Sequence, residues 1–440
     1  MTDWTIVARS LRVRLFSTCT TVLIVALGVA LMVVLLTLRD AGRSSFERGT
    51  GNVHLLVSRD ASPLASVLNG LFYASSPPRP LRMAEYEKIA SLPPVEWAIP
   101  VQLGDSYRGA YPVLATTPEF FAKFQPAQGA AWRFADGRAF AKDFEVVVGA
   151  SAARATGLRL GDSVVLTHGT GGSRAGGHVH DEFAYAVVGV LEPTGTIHDR
   201  ALFTNLQSSW LIHAFDRLER AGGHDDHDHE GHDHAGMPIG EEDLTDADRL
   251  ITNIYLRVLT RPGSDVSASV PVVMETIRRD PAFVASPLTV AGPLQEIRRL
   301  MAIVGNIDQI LVAMAAAVMI VSSVGILLAL YNSMEQRRRQ IAILRVLGAS
   351  AGRIFSLVMT ESAIIGLCGA LLGLALGYAG SHLTAGVMRA RLGLVIEPAL
   401  PLNVPATILL MTLGLACLAG LVPAVVAYRT GVAKNLRPAA

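Results

Sequence analysis

The chain has 440 residues, 51% of them hydrophobic and 17% charged, with a mean hydropathy of +0.40. Soluble domains carry about 25% charge, so these averages exclude an ordinary soluble enzyme. A net charge of +1 supplies no basic field for nucleic acid. Cys19, Cys368 and Cys417 all lie in apolar runs and are too few for a disulfide framework.

The first apolar run, Leu15 to Leu38, contains 24 uncharged residues between Arg14 and Arg39. A helix crossing a bilayer needs about 20. A cleavable signal peptide would have a shorter apolar core followed by a small-residue cleavage site. Here the run ends in Thr37-Leu38-Arg39-Asp40, which reads as an uncleaved anchor.

No comparable run occurs before Gln309. In between, short β-branched runs are split by Gly-Asp and Pro-Thr-Gly turns, as at Glu145 to Gly149, Gly157 to Leu166 and Val187 to Thr196. Residues before about 115 and after about 250 mix helical and strand patterns. The expectation is an α+β module split in sequence by a β-rich insert at about 116–245.

Within the insert, residues 222–236 place five histidines and five acids in 11 residues, at His224, His227, His229, His232 and His234. Neutral imidazoles are good ligands for zinc, copper and nickel, and carboxylates can complete a shell. The spacing matches no closed structural zinc site, so the pattern reads as a loop that captures or senses metal. The alternative is a solvated acidic loop with no specific role. His178 and His180 would share one face of a strand, beside Asp181 and Glu182, as a second metal site or a surface loop. His198, in Gly195-Thr196-Ile197-His198-Asp199, is expected to make a structural hydrogen bond.

Leu294, Ile297, Met301, Val304 and Leu311 recur at spacings of three and four. They predict a stalk from about residue 293 leading into a second span at 306–332. Further spans follow at 354–380, interrupted only by Glu361, and at 405–428. Glu361 is expected to snorkel toward the membrane surface. Gly369, Gly373 and Gly377, with Ala416, Gly420 and Ala424, form small-residue stripes suited to close helix packing.

Arginines set the orientation. Arg9, Arg12 and Arg14, then Arg337, Arg338, Arg339, Arg345 and Arg353, then Arg429, Lys434 and Arg437 fall on one side of four spans, the cytoplasmic side by the positive-inside rule. The resulting order is a cytoplasmic segment 1–14, span 15–38, an extracytoplasmic domain 39–305, span 306–332, a cytoplasmic loop 333–353, span 354–380, an outer loop 381–404, span 405–428 and a tail 429–440. In the cytoplasmic loop, Ile341, Leu344 and Leu347 recur at helical spacing and Gly348 is placed as a stop. A short amphipathic helix along the membrane surface is expected there.

The stretch Glu335-x-x-Arg338-x-x-Ile341-Ala342-Ile343-Leu344-Arg345-x-Leu347-Gly348-Ala349 resembles the signature of FtsX/MacB-like ABC transporter permeases, of lipoprotein-release or macrolide-efflux type. Ile354, Phe355, Glu361, the glycine stripe and Val422-Pro423-Ala424 with Tyr428-Arg429 continue the resemblance. Thr116 to Phe121 and Phe183 to Phe203 are similar to that family's extracytoplasmic domain. Gln340 stands where the family commonly has Glu, and Gly431-Val432 where it has Asp-Pro.

The resemblance implies four transmembrane helices and a large α+β domain on a stalk. It assigns Glu335, Arg338, Arg345, Leu347 and Gly348 to contact with a separate cytoplasmic ATPase. It further implies a homodimer or a heterodimer with a similar permease, a bacterial inner-membrane location with lipid around the spans, and an adaptor or metal-binding protein outside. The chain contains no Gly-Lys pair and therefore no phosphate-binding loop of the Gly-x-x-x-x-Gly-Lys type. ATP would be bound by the partner, this chain would not be an enzyme and would require no cofactor of its own, and the histidine loop is the candidate holder of zinc or another divalent metal. An alternative function is a non-transporting scaffold that regulates an extracytoplasmic enzyme such as a cell-wall hydrolase.

Overall fold

Apolar runs without a proline grow long helices, and the 104 residues from Leu294 to Glu397 contain none. The computed structural model describes residues 3–168, 179–221, 240–261, 268–284, 286–392 and 403–429. In chain order its elements are α1 (Asp3–Val13), α2 (Leu15–Gly49), β1 (Leu55–Ser58), α3 (Pro63–Gly70), β2 (Leu81–Arg82), α4 (Met83–Ala90), β3 (Val95–Tyr107), β4 (Tyr111–Thr116), α5 (Phe120–Lys123), β5 (Phe134–Gly137), β6 (Glu145–Val148), α6 (Ala150–Thr156), β7 (Ser163–His168), β8 (Val179–Leu191), β9 (Leu202–Asn205) and α7 (Leu206–Ala221). They continue with β10 (Leu250–Ile251), β11 (Asn253–Val258), α8 (Val270–Arg279), β12 (Thr289–Ala291), α9 (Pro293–Val346), α10 (Ala351–Leu392) and α11 (Asn403–Arg429).

The chain divides into two units. One comprises 1–42, 304–387 and 396–440, the other 43–303 and 388–395. Among the described residues four helices are long and apolar enough to cross a membrane, in Leu15–Gly49, Pro293–Asn332, Ala351–Met388 and Asn403–Arg429. Each outruns the apolar stretch read from sequence, because helix propensity continues into charged flanks such as Arg39 to Arg48.

In the helical unit, Val25, Val29 and Val33 of α2, Ala315, Met319 and Ile326 of α9, Ile365 of α10 and Ala416 of α11 build one core. The α2–α10 contact is glycine-tight. A methyl added at Gly369, Gly373 or Gly377 would lie 2.6 Å from Val25, Val29 or Val33 respectively. On the facing pair, Gly366 stands against Ala416 and Gly420 against Ser362. Both small-residue stripes are therefore packing surfaces. Glu361 is buried rather than reaching outward, and accepts a hydrogen bond from the Ser10 hydroxyl at 3.0 Å. A carboxylate within reach of a hydroxyl on a neighbouring helix need not extend to water.

In the other unit, β12-β1-β11-β3-β4-β9-β6-β8-β5 form one mixed sheet, with β7 joined to β3 and β8. The insert's strands continue the module's sheet through the parallel β4–β9 pair. Strands buried on both faces read as continuous apolar runs, and Leu55-Leu56-Val57 and Val146-Val147-Val148 are such runs. Alternation sends Leu56, Leu114 and Val147 into a single aromatic-rich core. The opposite pleats part into two smaller cores, one under the module with Leu55, Ala115 and Ile254, the other under the insert with Val113, Val146 and Tyr185.

Candidate coupling elbow and the outer domain

The residues that carry the sequence signature lie at the end of α9. The expected short, separate amphipathic helix does not form. The segment is instead the last turns of a 54-residue helix, since nothing from Ser333 to Val346 interrupts helical hydrogen bonding. Gly348 ends it with φ +96°, a left-handed conformation for which glycine is the natural stop. The Leu347 and Gly348 N–H groups donate to Ile343 and Arg345 carbonyls at 3.0 and 3.1 Å. Two residues on, the Ser350 hydroxyl accepts from the Arg353 N–H at 3.2 Å and starts α10.

This elbow sorts its apolar residues. Ile341 and Ala342 are buried with Ile354, Val358, Ala424 and Ala427, fixing α9, α10 and α11 together. Ile343, Val346 and Leu347 are exposed, Leu347 by 77%. Leu347 thus does not share the buried face that its spacing from Ile341 suggests, because the helix ends at Val346 and the chain turns away. Glu335 and Arg338 lie on α9, with side chains outside the described residues, as does that of Leu344. Arg345 is half-buried on the last turn of α9.

The histidine cluster, His224, His227, His229, His232 and His234, lies outside the described residues, as does His178. His180 sits on β8, its side chain also undescribed. Among the described residues no three His, Cys, Asp or Glu side chains come together as a metal site.

His198 makes the structural bond expected of it. Its Nδ1 lies 2.6 Å from the Tyr73 hydroxyl, and its ring is fully buried beside Phe124 and Trp132. Burial pushes its pKa down to about 4, so the ring is neutral at physiological pH. The neighbouring Asp199 carboxylate accepts from the Thr194 N–H and hydroxyl at 2.8 and 2.7 Å and closes the Pro-Thr-Gly turn. Tyr73 itself carried no sequence signal. It is a lone tyrosine whose partner lies 125 residues away.

Two ion pairs missed in the sequence fix the insert. Arg138 grips Glu145 with two bonds of 2.6 and 2.9 Å, and Ala141 and Lys142 N–H groups add two more. The Arg138 bonds above all hold Glu145 down to about 2. Arg217 on α7 makes a bidentate pair with Asp248 at 2.9 Å to each oxygen. Burial raises the Asp248 carboxyl, yet the Arg217 and Thr245 bonds bring it down to about 2.

Residues 18–270 match the MacB-like periplasmic core domain family, and residues 312–432 match the FtsX-like permease C-terminal family. The chain belongs to the MacB/FtsX-like ABC transporter permeases. A 123-residue segment, 28% of this permease, is 28% identical to ABC transporter permease MJ1507 of Methanocaldococcus jannaschii. A 75-residue segment, 17% of the chain, is 31% identical to ABC transporter permease YknZ of Bacillus subtilis. The matches span 30% and 19% of those two proteins. Among solved structures, the periplasmic region of MacB from Actinobacillus actinomycetemcomitans aligns over 57% of this chain and 94% of its own, at 9% identity and a TM-score of 0.31. The extracellular domain of YknZ from Gram-positive bacteria aligns over 54% and 98%, at 9% identity and a TM-score of 0.28.

Proposed function

We propose that this permease transmits ATP-driven motion from a separate cytoplasmic ATPase to its large domain, which acts on a substrate or partner outside a bacterial cytoplasmic membrane. The observation that carries this reading is the elbow. Exposed apolar side chains at a loop tip are anomalous unless something covers them, and Ile343, Val346 and Leu347 crowd such a tip beside Arg345. Beneath them Ile341 packs into the helical unit and Ala342 is buried, so a push on the tip moves helices rather than a loose loop. Within the outer unit Ile297 lies in the aromatic core, and within the helical unit Ile341 lies in the elbow cluster. Two copies of the permease with two ATPase chains complete the assembly, lipid covers the remaining apolar faces, and an adaptor or metal-binding protein engages the outer domain.

Co-purification tests it. A tagged permease should retain its ATPase partner, and Leu347→Asp or Arg345→Glu should lose most of it while leaving the thermal unfolding temperature near that of the parent. Unchanged retention in both variants sinks the docking role. Retention of an extracytoplasmic hydrolase with no substrate movement would favour the scaffold function instead.

The histidine loop is proposed as a zinc-binding appendage, since alternating imidazoles and carboxylates suit a borderline divalent ion. Deleting residues 222–236 should abolish zinc uptake in equilibrium dialysis and impair growth in zinc-poor medium. Full zinc binding by the deleted protein refutes the assignment.

A further inference from the structure

The β-rich unit contains a cleft of about 430 Å³, a volume within the ~300–1,000 Å³ of small-molecule sites. It opens where β3 changes neighbours. β11 pairs with β3 only as far as Val101, and β7 takes over at Asp105 and Ser106. Between them the Leu103 N–H donates to the Thr252 hydroxyl at 3.0 Å, a side chain standing in for a strand. The register against β4 also shifts between Leu103 and Ser106. Diverging strands leave a crevice floored by backbone, as at the switch points where open sheets bind ligands.

A strap of sequence Ala74-Ser75-Ser76-Pro77-Pro78-Arg79-Pro80 forms one wall, and its three prolines restrict the backbone. It is anchored at both ends of its first half. Tyr73 holds φ +56°, a conformation rare for a bulky residue and one that persists only where surroundings impose it. Its hydroxyl bond to His198 supplies that constraint. Pro77 is buried. A smaller recess walled by Tyr73, Gly104, Asp105 and Pro112 continues the cleft under the same strap.

The chemistry of the walls is specific. Among the described residues no Asp, Glu, Lys or Arg lines the main cleft. Leu103, Leu250 and Ile251 make an apolar side. Opposite them, Gln102 Nε2 lies 2.9 Å from His213 Nε2, while Gln102 Oε1 has no partner. Turning the carboxamide over exchanges the two atoms and leaves its amino group orphaned instead. Either way one amide atom stays unsatisfied, which is unfavourable in a buried position. Gln102 is one of the residues that line the cleft. Ser75 at the mouth has an exposed hydroxyl with only a 3.4 Å contact to Ser76 O.

We propose that this cleft binds an uncharged, amide-bearing ligand with an aliphatic side group, of the kind a short peptide segment presents. An amide offers one donor and one acceptor, so it satisfies Gln102 in either orientation and still reaches the Ser75 hydroxyl. The aliphatic group covers Leu250 and Pro80, the more open apolar residues of the lining. Among the described residues the main cleft offers no cation and the adjoining recess holds the acidic Asp105, so an anionic ligand is disfavoured.

The test uses the full chain in detergent micelles with N-acetyl-leucine amide as probe, followed by saturation-transfer NMR. Saturable binding is expected, weakened about five-fold by Gln102→Leu, as loss of one hydrogen bond implies. Ser75→Trp, at an exposed position, should block the mouth and abolish binding without altering the unfolding temperature. N-acetyl-leucine, the charged analogue of the probe, should bind about ten-fold more weakly. Absence of saturation at tens of millimolar, equal affinity for the charged analogue, or full binding by Ser75→Trp overturns the proposal. Should Gln102→Leu lower the unfolding temperature, Ser75→Trp still decides.

Discussion

Gly373 of α10 lies directly against Val29 of α2, so close that a methyl on the glycine would stand 2.6 Å from the valine Cβ and 2.7 Å from the Ala26 carbonyl oxygen. The same spacing repeats one turn away in each direction, at Gly369 with Val25 and at Gly377 with Val33. Small residues that let backbones meet are the main source of helix association where no water drives it. Gly373→Ala should therefore lower stability by ~1–3 kcal/mol, the usual effect of overpacking. Gly373→Leu should prevent assembly of the helical core. Pairing Gly373→Ala with Val29→Gly should recover part of the loss, and melting temperatures in detergent will show it. An alanine variant as stable as the parent would mean the two helices separate freely.

Glu145 anchors the insert through Arg138 and two backbone N–H groups. Glu145→Gln should destabilise the unit by ~1–3 kcal/mol, since a buried network loses its charged acceptor. The sign of its pH dependence follows from a carboxyl held down to about 2 against an ordinary value of 4.5. Its contribution is complete above pH 4.5 and disappears as pH falls from there toward 2. Urea midpoints measured across that window should fall in the parent and change less in Glu145→Gln.

His198 also loses its contribution as pH falls, but because the folded state holds the ring neutral. Burial holds its pKa near 4, so the folded ring resists protonation while the unfolded chain accepts a proton below about 6.5. Stability is complete above that value and declines as pH falls toward 4, by about 3 kcal/mol at most. In His198→Gln that part of the pH dependence should vanish, while some stability is lost at every pH through the Tyr73 bond. Fluorescence-monitored unfolding at pH 7 and pH 5 distinguishes the two effects. An equal pH response in parent and variant would place the sensitivity elsewhere.

Arg217→Ala should loosen the entry to the 222–236 segment, because the pair with Asp248 ties α7 to the start of β10. Faster proteolysis within that segment, with the sheet remaining protected, is the expected outcome. Unchanged digestion would show that the pair does not restrain it.

The spans, their number and the small-residue stripes are legible in sequence because hydropathy and four-residue spacing are local properties. So is the stop at Gly348. The run of the coupling segment into α9 was not legible, since apolar periodicity reports which face is buried and not where a helix begins. Leu347 illustrates the point: it falls in phase with Ile341 but beyond the last helical residue, and it is exposed. Glu361 misled for a related reason, its Ser10 partner being 351 residues away in sequence. The outer cleft depends on Gln102, His213 and Thr252, which only the strand order brings together.

The most direct measurement of the coupling role replaces Leu347 with a photo-crosslinking amino acid in cells, with Leu160, an exposed leucine of the outer domain, as the control position. An ATP-binding chain joined covalently at position 347 and absent at 160 is the predicted result. No such product at 347, or the same product at both positions, would contradict the elbow as the site where the ATPase docks.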